Sequence, residues 1–232
     1  MPAAFIASLV SGISGFAFTA VATALMLRLG PAEVILPLIL AGSILSQALS
    51  LVSLRNGVSW ARLWPFLVPG LVGVPLGTAG LALADPHVFR VSMGAVLIVF
   101  SLYGLLRRAP APVTHGGRLA DAAVGLIGGA MGGYAGLSGI VPTIWCGARG
   151  WPRLEQRGVY QPFILVIQVC ALGSGAAAGL FSAASLRLAA ICTPAFLLGT
   201  FCGLWVFGKL DERRFRQAVL VFLLLSGAAL IV

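Results

Sequence analysis

The sequence predicts an all-α polytopic membrane protein of two inverted repeats, each a broken re-entrant helix hairpin followed by three transmembrane helices. Three observations carry that expectation. The 232 residues are 59% hydrophobic and only 9% charged, with a mean hydropathy of +1.05. Their charges gather in short clusters separated by apolar stretches about as long as the ~20 residues a helix needs to cross hydrocarbon, which leaves no room for a soluble domain. The chain also repeats itself, and the basic residues of its two copies favour opposite loops.

The first apolar stretch, 3–27, is interrupted by Gly12-Ile13-Ser14-Gly15, followed after three residues by Thr19. Gly30 and Pro31 mark a turn into the second stretch, 34–54. A third stretch covers 63–84 and stops at Asp85-Pro86, which reads as an N-cap with Pro at the first helical position of the fourth, 90–106. Repeat 1 thus occupies 1–108. Residues 109–117, punctuated by Pro110, Pro112, Gly116 and Gly117, form the one plausible linker, and repeat 2 occupies 118–232.

The second half echoes the first. Gly136-Leu137-Ser138-Gly139 with Thr143 matches the opening motif at an offset of 124. Pro37, Arg62 and Pro69 match Pro162, Arg187 and Pro194 at 125. Gly73, Gly77, Asp85, Phe89 and Arg90 match Gly199, Gly203, Asp211, Phe215 and Arg216 at 126.

Were all eight stretches to cross, both halves would share one orientation and one arginine bias. Instead Arg55, Arg62, Arg107, Arg108 and Arg118 follow stretches two and four, whereas Arg149, Arg153, Arg157, Lys209, Arg213, Arg214 and Arg216 follow stretches five and seven. The positive-inside rule holds in both halves only if one stretch per half fails to cross. The first and fifth are the broken ones, at Gly12 to Gly15 and along the run Gly128, Gly129, Gly132, Gly133, Gly136, Gly139. Broken helices in inverted repeats are a recurrent transporter plan, tolerated where the open backbone is buried or lines a cavity.

The net charge of +9 sits at helix ends, where anchoring explains it before nucleic-acid binding does. Cys146, Cys170, Cys192 and Cys202 match no metal or redox spacing, so no metal and no cofactor is expected. A serine nucleophile in G-x-S-G needs a histidine base within reach, and His87 and His115 fall in connecting segments, so no enzyme is expected. The N-terminus lacks a basic n-region and is read as retained.

Each break is expected to start a half-helix whose free N–H groups and dipole place positive character at the midplane. Ser14 and Ser138 are the natural N-caps, with Gly15 and Gly139 beside them, and Thr19 and Thr143 add hydroxyl donors. Two such termini would hold an anion without a charged side chain. Gly12, Gly15 and Thr19 also fit a small-residue stripe for close helix packing. Gln47 in the second stretch, and Gln161 and Gln168 seven apart on one face of the sixth, must face the bundle interior, as ligands or as interhelical bonds. All six carboxylates are placed in connecting segments, which argues against coupling through a buried acid. The membrane potential alone supplies roughly 2.3 kcal/mol per charge per 100 mV, about fifty-fold, to an anion leaving a cell.

The repeat, the glycine-rich opening of each half and the segment Arg157-Gly158-Val159-Tyr160-Gln161-Pro162-Phe163 together resemble the sulfite exporter TauE/SafE family across essentially the whole chain. Gly139-Ile140-Val141-Pro142 fits that family's glycine cluster with following proline, whereas the first copy has Phe18 in the proline's place. The resemblance implies a multi-pass protein of the cell membrane, the bacterial inner membrane, moving sulfite, an organosulfonate or a related sulfur oxyanion. Its partners would be the small anion and the lipid bilayer. A non-transporting membrane scaffold and an anion channel are the alternatives.

Overall fold

The computed structural model describes residues 1–27, 29–54, 57–106, 113, 115–207 and 212–231. Arg28, Arg55, Arg107, Arg108, Lys209 and Asp211, and most of the expected linker, lie outside them. Among the described residues all regular structure is helical. The helices are α1 (Pro2–Ser14), α2 (Phe18–Met26), α3 (Ala32–Leu54), α4 (Trp60–Leu83), α5 (Pro86–Leu106), α6 (Gly117–Ala135), α7 (Ile140–Ala148), α8 (Arg153–Ala177), α9 (Ala183–Val206) and α10 (Glu212–Ile231).

Each half is therefore a broken helix followed by three continuous ones, as the sequence predicts. Segments of α3, α4, α5, α8 and α9 are long and apolar enough to cross a membrane. In α10 the corresponding apolar segment, Gln217–Ile231, is shorter. At 1.5 Å per residue the 13 residues of α1 reach about 20 Å and the nine of α2 less, short of the ~30 Å of hydrocarbon. The α5 start is as expected: Pro86 opens the helix and Asp85 Oδ1 accepts the His87 N–H at 2.8 Å.

Packing follows the duplication. The broken helix α1 lies on α9 and its counterpart α6 lies on α4, so each half's broken helix packs on the third helix of the other half. Likewise α3 meets α9 where α8 meets α4, while α3 pairs with α8 and α5 with α10. Exchanging the halves maps this set of pairings onto itself.

Glycine makes the two broken-helix seams possible. A Cβ on Gly73 or Gly77 of α4 would run into the carbonyls of Leu126 and Ala130, and one on Gly125, Gly129 or Gly133 of α6 into those of Phe66, Gly70 and Val74. In the other seam a Cβ at Gly12 would lie 2.6 Å from the Thr200 carbonyl and one at Gly199 2.5 Å from that of Phe5. The glycines matched between the halves, Gly73 and Gly77 with Gly199 and Gly203, thus do the same job in each copy.

This packing corrects the expected position of the second break. Gly128, Gly129, Gly132 and Gly133 are helical, inside α6, and the chain breaks only at Gly136 to Gly139. The expectation that every carboxylate lies in a connection also fails. Asp121 sits buried in the second turn of α6, because Trp145 Nε1 donates to its Oδ1 at 2.7 Å and Arg149 Nη2 reaches the same oxygen at 3.3 Å. That pair ties the end of α7 to the start of α6. Glu33 and Glu155 occupy first turns of α3 and α8, where a negative charge complements the helix dipole.

Candidate functional site: two breaks and a cationic cavity

Both broken helices end on a left-handed glycine. Gly15 has φ +85° with its N–H on the Ser11 carbonyl at 2.6 Å, and Gly136 has φ +72° with its N–H on Gly132 at 2.8 Å. Only glycine adopts that backbone without a Cβ penalty, so these residues fix where each helix stops. They also reset the register of the repeat. The counterpart of Gly15 is Gly136, at an offset of 121, and not Gly139, which precedes α7. The two G-x-S-G copies are consequently displaced by about one helical turn relative to each other in the fold.

That displacement overturns the expected capping. The residues preceding α2 and α7 are Ala17 and Gly139, and neither makes a side-chain cap. Ser14 is the last residue of α1. Its Oγ donates to the Val10 carbonyl at 2.8 Å and accepts from the Ala17 N–H at 3.2 Å, so it covers one free N–H of α2 from across the break. Ser138 Oγ instead accepts from Gln168 Nε2 at 3.4 Å.

The glutamines cap the carbonyl ends of the half-helices. Gln47 Nε2 donates to the Gly15 carbonyl at 3.2 Å and Gln168 Nε2 to the Gly136 carbonyl at 2.6 Å, in each case from 32 residues further along the same half. Gln161 Nε2 adds a second bond to Gly15, at 3.4 Å, and Gln168 also reaches Thr19 Oγ1 at 3.2 Å. All three side chains are at most 1% exposed. Each amide nitrogen donates to a backbone carbonyl, and each Oε1 is buried without a hydrogen-bond partner.

The two breaks touch. A Cβ on Gly136 would lie 3.2 Å from Thr19 Cγ2, and one on Gly139 3.6 Å from the Phe16 carbonyl. Ser14, Gly15, Gln47 and Gln161 thus form one cluster, and Thr19, Ser138 and Gln168 an adjacent one. Thr143 stands apart on α7, its Oγ1 buried and without a partner.

Two residues of α8 that were not predicted for the site complete the first cluster. Arg157 Nη2 donates to the Ile13 carbonyl at 2.7 Å and Tyr160 Oη to that of Ser14 at 3.4 Å. With Gln161 on Gly15, three successive carbonyls at the negative end of α1 are met by side chains of one helix. The signal was present in the spacing: Arg157, Gln161 and Gln168 recur at i, i+4 and i+11, a single face of α8.

A cavity of about 160 Å³ opens beside this cluster, walled by Ser14 and Ala17 at the first break, Thr143 of α7, and Arg153, Arg157 and Tyr160 of α8. Among its described lining residues there is no carboxylate. Among the described residues no three His, Cys, Asp or Glu side chains gather to hold a metal ion.

Apolar helices of membrane-crossing length around two buried helix breaks define an integral membrane protein. The chain belongs to the sulfite exporter TauE/SafE family, whose model matches residues 1–230. That family assigns it to the membrane transporters of sulfur anions. No curated protein and no solved structure gives a significant match.

Proposed function

We propose that this protein moves a small sulfur oxyanion, sulfite or an organosulfonate, across the bacterial inner membrane by alternating access between two inverted halves. The observation that carries the reading is the contact of the two breaks with each other, inside one bundle whose pairings exchange under the duplication. In transporters built this way the interrupted backbone lies at the midplane, with helix ends serving the ligands. Ser14, Gly15, Thr19, Ser138, Gly139 and Thr143 contribute hydroxyls and close-approach backbone. Gln47, Gln161 and Gln168 hold the half-helix ends in place, and their unpartnered oxygens accept from the waters or hydroxyls that accompany the anion. An inside-negative potential is by itself enough to drive an anion outward.

Flux of radiolabelled sulfite and of a short organosulfonate into proteoliposomes under an imposed potential tests the reading. The wild type carries either anion saturably. Ser138→Ala and Gln161→Ala lower that flux at least several-fold while the protein still elutes as a single species. Absence of flux in the wild type supports the scaffold alternative, and full flux in both variants removes these residues from the site. Flux that does not saturate favours a channel.

A further inference from the structure

Arg157 carries a charge that no carboxylate among the described residues balances. It is 7% exposed, in the interior of a membrane protein, yet its contacts are the Ile13 carbonyl and the face of Phe207, 3.9 Å from the guanidinium carbon. No ion pair joins it to a carboxylate among the described residues. An unpaired buried cation is strongly unfavourable, so such residues mark the place where a counter-charge binds. Arg157 lines the cavity, and the buried, unpartnered hydroxyl of Thr143 belongs to that cavity's wall as well.

The duplication supplies an internal control. A second cavity, of about 310 Å³, is lined by Leu36, Leu81 and Phe89 of the first half. Phe89 matches Phe215 of the first cavity, and Leu36 stands where Arg157 does at the offset that relates Gly15 to Gly136. At that position one cavity has arginine and the other leucine, and the second cavity's own charged residues, Glu33 and Arg90, are both exposed. The buried charge is not a by-product of the fold.

We infer that Arg157 is the residue that binds the transported anion, its guanidinium forking two oxygens of a sulfite or sulfonate group while the Thr143 hydroxyl donates to a third. This rests on the proposed function and moves the anion's principal ligand from the half-helix termini to a side chain of α8. The cavity has room for about five waters, enough for a sulfonate group with a short tail. A planar guanidinium favours such oxyanions over halides, because it offers two parallel N–H bonds.

Equilibrium binding of radiolabelled sulfite to the detergent-solubilised protein, beside flux in phosphatidylcholine vesicles that present no net headgroup charge, tests the assignment. Arg157→Gln removes the charge and leaves a polar side chain with N–H donors in its place. It is expected to weaken sulfite binding at least ten-fold with little change in Tm, and Arg157→Lys to recover part of the loss. Thr143→Val breaks no existing bond and is expected to weaken binding several-fold. Wild-type affinity in both Arg157→Gln and Thr143→Val overturns the assignment, as does a wild type that binds no sulfite. If Arg157→Gln fails to fold, unchanged affinity in both Arg157→Lys and Thr143→Val overturns it equally. Saturable, Arg157-dependent binding without flux leaves the assignment standing and overturns the transporter reading.

Discussion

Gly15 is the most constrained residue at the first break. Its φ of +85° places it in the left-handed region, and an added Cβ would lie 2.7 Å from Gln161 Nε2 and 3.1 Å from Tyr160 Oη. Gly15→Ala therefore costs about 1–2 kcal/mol of backbone strain and also pushes apart the side chains that cap α1. A fall in Tm of several degrees is expected, with a larger loss of flux than at Gly179. That residue shares a positive φ, but a Cβ there meets nothing within 4 Å. Much of this cluster was readable in the sequence. A glutamine in hydrocarbon must find a partner, so burial of Gln47, Gln161 and Gln168 followed from residue type alone. Which partner did not, because the carbonyls they bond are exposed only by breaks whose last helical residue depends on a glycine's backbone angle. Arg157 was hidden for a different reason. It stands near the start of an apolar stretch, where an arginine normally anchors the helix to the interface, as the half-exposed Arg62 does through Glu155 at 2.6 Å.

Among the elements, α6 shows how a helix can be mistaken for a break. Its glycines weaken it as an isolated helix, by up to about 1 kcal/mol each relative to alanine, and read as an interruption. In the fold they are the surface on which α4 rests. Packing supplied by another half of the chain overrides local propensity, which a single stretch cannot reveal. Gly129→Val places side-chain atoms against the Gly70 backbone and is expected to cost about 3 kcal/mol or more. Loss of monodisperse protein on size exclusion reads that cost. Gly173→Val on α8, where a Cβ meets nothing within 4 Å, is the matched control and leaves elution unchanged. The sequence repeat was sound for α4 and α9, whose matched glycines serve equivalent seams. It slipped by a turn at the breaks, where a short G-x-S-G pattern recurs more readily than the geometry it was taken to represent.

For the whole molecule, the proposed transport requires the halves to face opposite ways, as the arginine distribution predicts from the sequence. With inverted halves, the two related cavities open toward opposite sides of the membrane, and only one holds a buried arginine, Arg157, while the exposed Arg90 and Glu33 line the other. Loops α2–α3 and α7–α8 are counterparts under the duplication, and Leu29 and Leu154, in or beside them, are 73% and 67% exposed. The decisive measurement is labelling of single cysteines at these two positions, in a background lacking Cys146, Cys170, Cys192 and Cys202, with a membrane-impermeant thiol reagent applied to intact cells and to inverted vesicles. The account predicts that Leu29→Cys and Leu154→Cys react from opposite sides of the membrane. Reaction of both from the same side contradicts it and restores two halves of like orientation.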